Sequence, residues 1–371
     1  MIGRGPIVLA AGGTGGHVFP AQALAEILTA RGWRIALVTD SRGTAFGESV
    51  AGVETHRIRA ASFSGGILTK LKGLIQLGLG LIQARNLLRR LSPSAAVGFG
   101  GYPSVPTMWA ATGIRLPTLI HEQNAVLGRA NRLLAPRVDR IATSFEEIQG
   151  IQPKDRQKVV LTGNPVRAAI TAIASQPYPQ RQNADDPLNL LIFGGSQGAT
   201  ILSDVVPAAI AALTDKARQQ LRVVQQCRAE DLDRVRKVYS DAGIQAELAP
   251  FFDDMPARLA ATHLVVARAG ASTIAEVTSA GRPVLLVPYR HAMDDHQTAN
   301  ARAIEEAGGG WMLSEDDFTP STLKDRLQAF LATPDLLTRA AAGAHNAGRT
   351  DAADSLADAA EALAAQGEGT P

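Results

Sequence analysis

One pattern governs what this chain can fold into. Short aliphatic or β-branched runs recur along it, each closed by a turn that is often glycine-rich and followed by a stretch with helical spacing; they fall at residues 6–11, 34–39, 95–99, 118–121 and 138–143. A continuous apolar run of that length suits a strand buried on both faces, and such strands joined by helices build a parallel sheet. The pattern restarts after 176–187, a stretch rich in Pro, Gln and Asn, with runs at 188–193, 221–225, 263–267 and 283–288. The expected fold is therefore α/β, with two Rossmann-like, doubly wound parallel-sheet domains. The length agrees, since 371 residues exceed what one core usually supports. The join is placed at Gly163-Asn164-Pro165, which gives domains 1–166 and 167–348 and makes 176–187 an early loop of the second.

Composition removes several classes of function. The lone Cys227 allows no internal disulfide and no cysteine-based metal site, which fits a reducing compartment such as the cytoplasm. The apolar start at 7–11 breaks into glycines too soon for a secretory signal. A net charge of +2 argues against a nucleic-acid binder held by bulk charge. That total hides a partition: residues 1–165 hold 19 Lys and Arg against 9 Asp and Glu, net +10, which leaves net −8 for the rest. No acid occurs between Glu54 and Glu122, while Arg57, Arg59, Lys70, Lys72, Arg85, Arg89, Arg90 and Arg115 all do, so this stretch suits an anionic surface. Within it, Thr69, Lys72, Gly73, Gln76, Gly80 and Gln83 line one stripe of a helix over 67–91 whose other positions are mostly Leu and Ile. Such a helix is either buried on most sides or dips an apolar face into lipid beside its lysines and arginines. The charge-free stretch 91–114 is broken by Pro93, Pro103 and Pro106, so no membrane span is expected.

Three glycine loops carry chemistry. Gly12-Gly13-Thr14-Gly15-Gly16-His17 follows the first strand and opens a helix, so bare amides and the positive helix end meet a phosphate or sugar there. As a dinucleotide fingerprint it fails at Val18, where the third glycine belongs, although Asp40 at the end of the second strand keeps a dehydrogenase in view. Gly194-Gly195-Ser196-Gln197-Gly198 fits G-x-S-x-G, the elbow of a serine hydrolase, with Asp253 or Asp254 and His291 or His345 as formal partners; it equally fits a loop donating to phosphate. No Walker lysine follows any of these glycines. In the third loop, which runs from Ala269 through Gly270, Ala271, Ser272, Thr273, Ile274 and Ala275 to Glu276, Thr273 and Glu276 have capping-box spacing. The same carboxylate, one turn into a helix, can instead accept from ribose hydroxyls.

Taken in order, these loops together with His121-Glu122-Gln123-Asn124, Gly163-Asn164-Pro165-Val166-Arg167 and Phe252-Asp253-Asp254-Met255 resemble the motif series of the MurG family, the N-acetylglucosaminyltransferases that make lipid II. The resemblance covers nearly the whole chain and implies a GT-B fold, two Rossmann-like domains facing a cleft, with a C-terminal helix near 349–366 returning to the first. It implies UDP-N-acetylglucosamine as donor and undecaprenyl-diphospho-N-acetylmuramoyl pentapeptide as acceptor, joined by one inverting displacement at the cytoplasmic face of the membrane. For Glu276 it favours ribose over capping.

By that resemblance Phe252 offers backbone groups to uracil, Glu276 binds the ribose, Gln297 the sugar hydroxyls, and Asn124 with Thr14, Gly15 and Gly16 the near side of the donor. Arg167 lies near nucleotide or phosphate, or else is a hinge arginine paired with the acidic half. Ser196 and the amides at the Ala271 helix start hold pyrophosphate charge, so no metal or other cofactor is expected, and Asp253-Asp254 and Asp294-Asp295 read as turn or surface acids. His17 is the candidate base, at a helix start whose dipole favours neutral imidazole, and Glu122 is its rival. The glycine-rich turn from Gly98 to Ser104, with Tyr102, would meet the acceptor diphosphate. Leu71, Ile75 and Leu81 with the nearby cations would face an anionic membrane surface, without the aromatics usual in the family, since none occurs between Phe63 and Phe99. A hydrolase, a dehydrogenase and a noncatalytic nucleotide-sugar binder are the competing classes.

Overall fold

The computed structural model describes residues 5–12, 15–40, 52–60, 67–181, 183, 185–195 and 198–368; the side chains of 67–72, 74, 367 and 368 lie outside that description. The chain forms two compact units, Met1–Val166 with Asp351–Pro371, and Arg167–Thr350. The first holds seven strands: β1 (Ile7–Ala10), β2 (Ile35–Thr39), β3 (Val53–Arg57), β4 (Ala95–Gly98), β5 (Thr118–Glu122), β6 (Arg140–Thr143) and β7 (Val159–Leu161), in the order β3-β2-β1-β4-β5-β6-β7. The second holds β8 (Leu188–Phe193), β9 (Leu221–Gln226), β10 (Ala246–Ala249), β11 (Leu264–Ala267), β12 (Val284–Leu286) and β13 (Gly310–Met312), in the order β10-β9-β8-β11-β12-β13. Every pairing is parallel. This is the expected two-sheet α/β architecture, and the apolar runs are its inner strands. Four strands fall outside those runs: β3, β7, β10 and β13. They are the four sheet edges, only partly covered, and tolerate polar residues such as Glu54, His56 and Glu247.

Alternation along β1 divides the first unit into two cores. Ile7 and Leu9 pack with Leu24 and Leu28 of the helix Gly15–Ala30, and with Leu356, Ala360 and Leu363 of the C-terminal helix Ala352–Glu368; Val8 and Ala10 face Ala84, Leu88 and Met108 on the other side. The C-terminal helix is thus held by an apolar stripe, and Arg31 supplements it at the surface, reaching Asp354 at 2.8 Å, Asp358 at 2.6 Å and Glu361 at 2.7 Å.

The helix Ile67–Leu91 turns Gly73, Gly80, Ala84, Leu87 and Leu88 inward, while Gln76 and Gln83 are exposed and Gln83 Oε1 accepts the Arg59 N–H at 2.9 Å. A Cβ at Gly80 would stand 2.1 Å from the Arg59 carbonyl oxygen, so only glycine lets the helix lie this close. Outward face Ile75 (57% exposed), Leu79 and Ile82 (59%), in line with Arg89 and Arg90. Leu81, expected on that patch, is half-buried against the core, because it sits roughly 120° around the helix from Ile75. The side chains of Leu71, Lys70 and Lys72 lie outside the described residues. Among the described residues no helix is long and apolar enough to cross a membrane.

Candidate active site

A doubly wound sheet reverses its strand order at one place, and the crevice beyond the strand ends there receives the ligand. In the first sheet the reversal falls between β1 and β4, in the second between β8 and β11. The loops leaving these four strands are Ala11 to His17, Phe99-Gly100-Gly101, Gly194 to Gly198 and Arg268-Ala269-Gly270. All three glycine loops singled out from the sequence, and the turn at Gly100, therefore stand at reversal points.

In the first unit Gly15 and Gly16 open the helix Gly15–Ala30 and His17 is its third residue, while Thr14 lies outside the described residues. The His17 ring lies over Gly100 and Gly101: a Cβ on either would be 3.3 Å from Cε1 or 3.5 Å from Cδ2, and their φ values of +87° and +74° suit glycine alone. His17 Nδ1 is 3.1 Å from Gln123 Oε1. The buried Gln123 reaches back through Nε2 to Phe99 O at 3.0 Å, His121 Nδ1 at 3.0 Å and His121 O at 3.1 Å. His121 Nε2 is 2.9 Å from Gly163 O, and burial lowers the His121 imidazole to about 4.

Glu122 is buried, and its carboxylate accepts four hydrogen bonds: from Asn124 N (3.1 Å) and Nδ2 (3.2 Å) at Oε1, and from Gly128 N (2.8 Å) and Asn131 Nδ2 (2.9 Å) at Oε2. Both oxygens are thereby committed to shaping the loop that carries Asn124. Tyr102 is exposed on the neighbouring turn.

In the second unit the helix Ala271–Ser279 begins directly after β11, with Gly270 as N-cap and no side-chain cap. The capping-box spacing of Thr273 and Glu276 is thus not used: the helix starts two residues before Thr273, which leaves Glu276 beyond the first turn. The first helical bond runs from Ile274 N to Gly270 O, so the amides of Ala271, Ser272 and Thr273 precede the hydrogen-bond ladder. Ser272 Oγ is buried and finds no partner among the described residues. One turn on, past Ala275, Glu276 Oε1 accepts from both Nε and Nη2 of Arg167 at 2.9 Å. Burial pushes the Glu276 carboxyl up, and Arg167 opposes the shift.

Ser196 lies outside the described residues, but its loop is held from β9: Gln226 Oε1 accepts from Gly194 N at 3.1 Å, and Gln226 Nε2 donates to Gly195 O and Pro250 O, each at 3.1 Å. The Pro250 bond carries the support on to Phe252, which is buried with its ring 4.0 Å from the Arg258 guanidinium. Gln297 Oε1 accepts the Tyr289 N–H at 3.0 Å. Asp294 and Asp295 make a left-handed turn with φ of 54° and 52°, and Asp254 pairs with Arg258 at 2.7 Å, so these acids serve the local chain. Among the described residues no group of three metal-ligating side chains occurs. Of the formal elbow partners, Asp254 is paired with Arg258. Gln123, His121 and Gln226 carry no assigned role from the sequence, although the first two stand inside a quoted motif; apart from the bonds between Gln123 and His121, their side-chain hydrogen bonds span 24 or more residues, which no local pattern records.

Two parallel sheets with glycine loops at both reversal points have the architecture of GT-B glycosyltransferases. The model of the glycosyltransferase family 28 N-terminal domain matches residues 7–143, and that of the C-terminal domain matches 189–356. A UDP-N-acetylglucosamine–N-acetylmuramyl-(pentapeptide) pyrophosphoryl-undecaprenol N-acetylglucosamine transferase from Rhodospirillum centenum is 55% identical over 98% of this chain and 96% of its own. A transferase of the same name from Paramagnetospirillum magneticum is 56% identical over 95% of each chain. The crystal structure of Acinetobacter baumannii MurG superposes with a TM-score of 0.79 at 29% identity, covering 96% of this chain and 99% of that one. The chain belongs to the MurG family of glycosyltransferases.

Proposed function

We propose that the chain transfers N-acetylglucosamine from UDP-N-acetylglucosamine to the C4 hydroxyl of undecaprenyl-diphospho-N-acetylmuramoyl pentapeptide, the lipid I to lipid II step of peptidoglycan synthesis, with inversion. The observation that carries this is the near full-length likeness to transferases bearing that name, with the glycine loops standing at both strand-order reversals. In this reading the second unit binds the donor. The Ala271, Ser272 and Thr273 amides, the Ser272 hydroxyl and Ser196 take pyrophosphate charge as UDP departs; Glu276 takes the ribose hydroxyls with Arg167 beside it. Phe252 backbone groups meet uracil, and Gln297 turns its amide nitrogen to the sugar. The first unit supplies Thr14, Gly15, Gly16 and Asn124 to the sugar side, and His17 receives the acceptor's hydroxyl proton as the new glycosidic bond forms. The four hydrogen bonds on Glu122 support His17 over Glu122 as base.

The exposed stripe of Ile75, Leu79 and Ile82 beside Arg89 and Arg90 supports peripheral binding to the anionic cytoplasmic membrane surface, where the lipid acceptor resides, and hence a part in cell-wall growth, cell shape and division. The decisive experiment mixes the chain with UDP-N-acetylglucosamine and a lipid-linked muramoyl acceptor. UDP release with formation of the disaccharide is expected, and it persists in EDTA. Donor binding without turnover, labelling of Ser196 by a fluorophosphonate, or activity lost to EDTA and restored by magnesium would each contradict a part of this reading.

A further inference from the structure

We propose that Gln123 is a positioning residue that sets the tautomer of His17: its side-chain amide holds the imidazole as the Nδ1–H form and so places the lone pair that receives the acceptor proton on Nε2. The proposal rests on the reading of His17 as the base, and its structural half stands without it.

Two independent observations orient the amide. Carbonyl oxygens only accept, and one terminal atom of Gln123 lies within 3.1 Å of both Phe99 O and His121 O, so that atom is the NH2 group. Separately, His121 Nε2 faces the Gly163 carbonyl at 2.9 Å and therefore carries the His121 proton. The Nδ1 of His121 is then a bare lone pair, and at 3.0 Å it too requires an N–H from Gln123. Both constraints leave Oε1 toward His17, and an amide oxygen 3.1 Å from Nδ1 accepts a hydrogen bond from the Nδ1–H. Neutral imidazole has one N–H, so the basic lone pair of His17 falls on Nε2.

The amide cannot pass a proton along, so the chain from Gly163 through His121 and Gln123 is a lock on His17 and not a wire. Turning the His17 ring over would put carbon against Oε1, and the Gly100-Gly101 backbone beneath it keeps the plane of the ring. Because burial keeps His121 neutral down to about 4, the lock holds its setting across the range in which a histidine base works. A carboxylate in the place of Gln123 would orient the ring as well but would favour the imidazolium, whereas an amide orients it without adding that charge.

The test is a long-range proton–nitrogen correlation spectrum of the full chain with imidazole-labelled histidines, with the His17 signals assigned from a His17→Asn protein. The expected wild-type result is protonated Nδ1 and bare Nε2 at His17, with the opposite pattern at His121. In Gln123→Met the His17 proton redistributes toward Nε2, kcat falls at least about tenfold, and the donor KM stays within about threefold. A wild-type His17 protonated on Nε2 overturns the proposal whether or not any variant folds. A Gln123→Met protein with an unchanged tautomer, or with a changed tautomer and unchanged kcat, overturns it as well. Near-normal turnover in His17→Ala would sink the base assignment instead, leaving the tautomer measurement to stand by itself.

Discussion

Glu276 meets two opposing demands. It is mostly buried, which raises its carboxyl, and it is paired with Arg167, which favours the charged form that ribose hydroxyls need. Glu276→Gln keeps the shape and removes the charged acceptor, so the KM for UDP-N-acetylglucosamine should rise about 10- to 100-fold, matching the roughly 1.5–3 kcal/mol of hydrogen bonds to a charged group, with kcat much less affected. Steady-state kinetics across donor concentration decide it; an unchanged KM removes Glu276 from the donor site. His121 carries a stability prediction. Its imidazole drops from the ordinary 6.5 to about 4, so below about 6.5 the unfolded chain binds a proton that the folded chain refuses. Its contribution is intact above that pH and is lost as pH falls toward 4, up to about 3 kcal/mol. His263, lowered in the same way by burial, adds to the trend. Denaturant titrations between pH 7 and 4 should show the decline, and His121→Gln should flatten part of it. At this scale the sequence offered candidate residues for a ligand, but not their partners: nothing near Glu276 in the chain points to Arg167, 109 residues away.

At the scale of elements, glycines decide how closely helices approach their neighbours. Gly80→Val places its Cβ against the Arg59 carbonyl and must push the helix Ile67–Leu91 outward, destabilising the chain by about 1–3 kcal/mol or more, read as a lower Tm; Gly78→Ala, on the exposed side with nothing within 4 Å, should be neutral or slightly stabilising. Equal effects from the two would show that the helix does not rest on Arg59. The inner strands were legible because burial on both faces demands unbroken apolar runs. β3, β7, β10 and β13 were not, because an edge strand pairs on one side only and its side chains answer to solvent as much as to the core. The capping-box spacing of Thr273 and Glu276 goes unused for a related reason: that spacing is local, while the helix begins at Ala271, where β11 delivers the chain.

For the whole molecule, the partition of charge and the exposed stripe on the helix Ile67–Leu91 make a joint prediction. Ile75→Glu with Ile82→Glu should leave folding within about 0.5 kcal/mol, since both residues are exposed, and should weaken binding to vesicles containing anionic lipid; binding by the unaltered chain should also fall as salt rises. Binding indifferent to both changes would remove the membrane role of this face. The sequence by itself determined the two-sheet α/β class, the glycine loops between strand and helix and the opposite charges of the two halves, because burial periodicity, backbone freedom and formal charge are properties of neighbouring residues; that those loops fall at strand-order reversals came from the sheets. Tertiary structure alone decided which face of the leucine-rich helix turns outward, that Glu276 pairs with Arg167 and not with its own helix start, that Glu122 is spent on its loop, and that His17 is fixed through Gln123. The Glu122 bonds need the folded shape of its loop, and the others join residues far apart in the chain, where a hydrogen bond or a steric stop exists only once the sheets have brought its partners together.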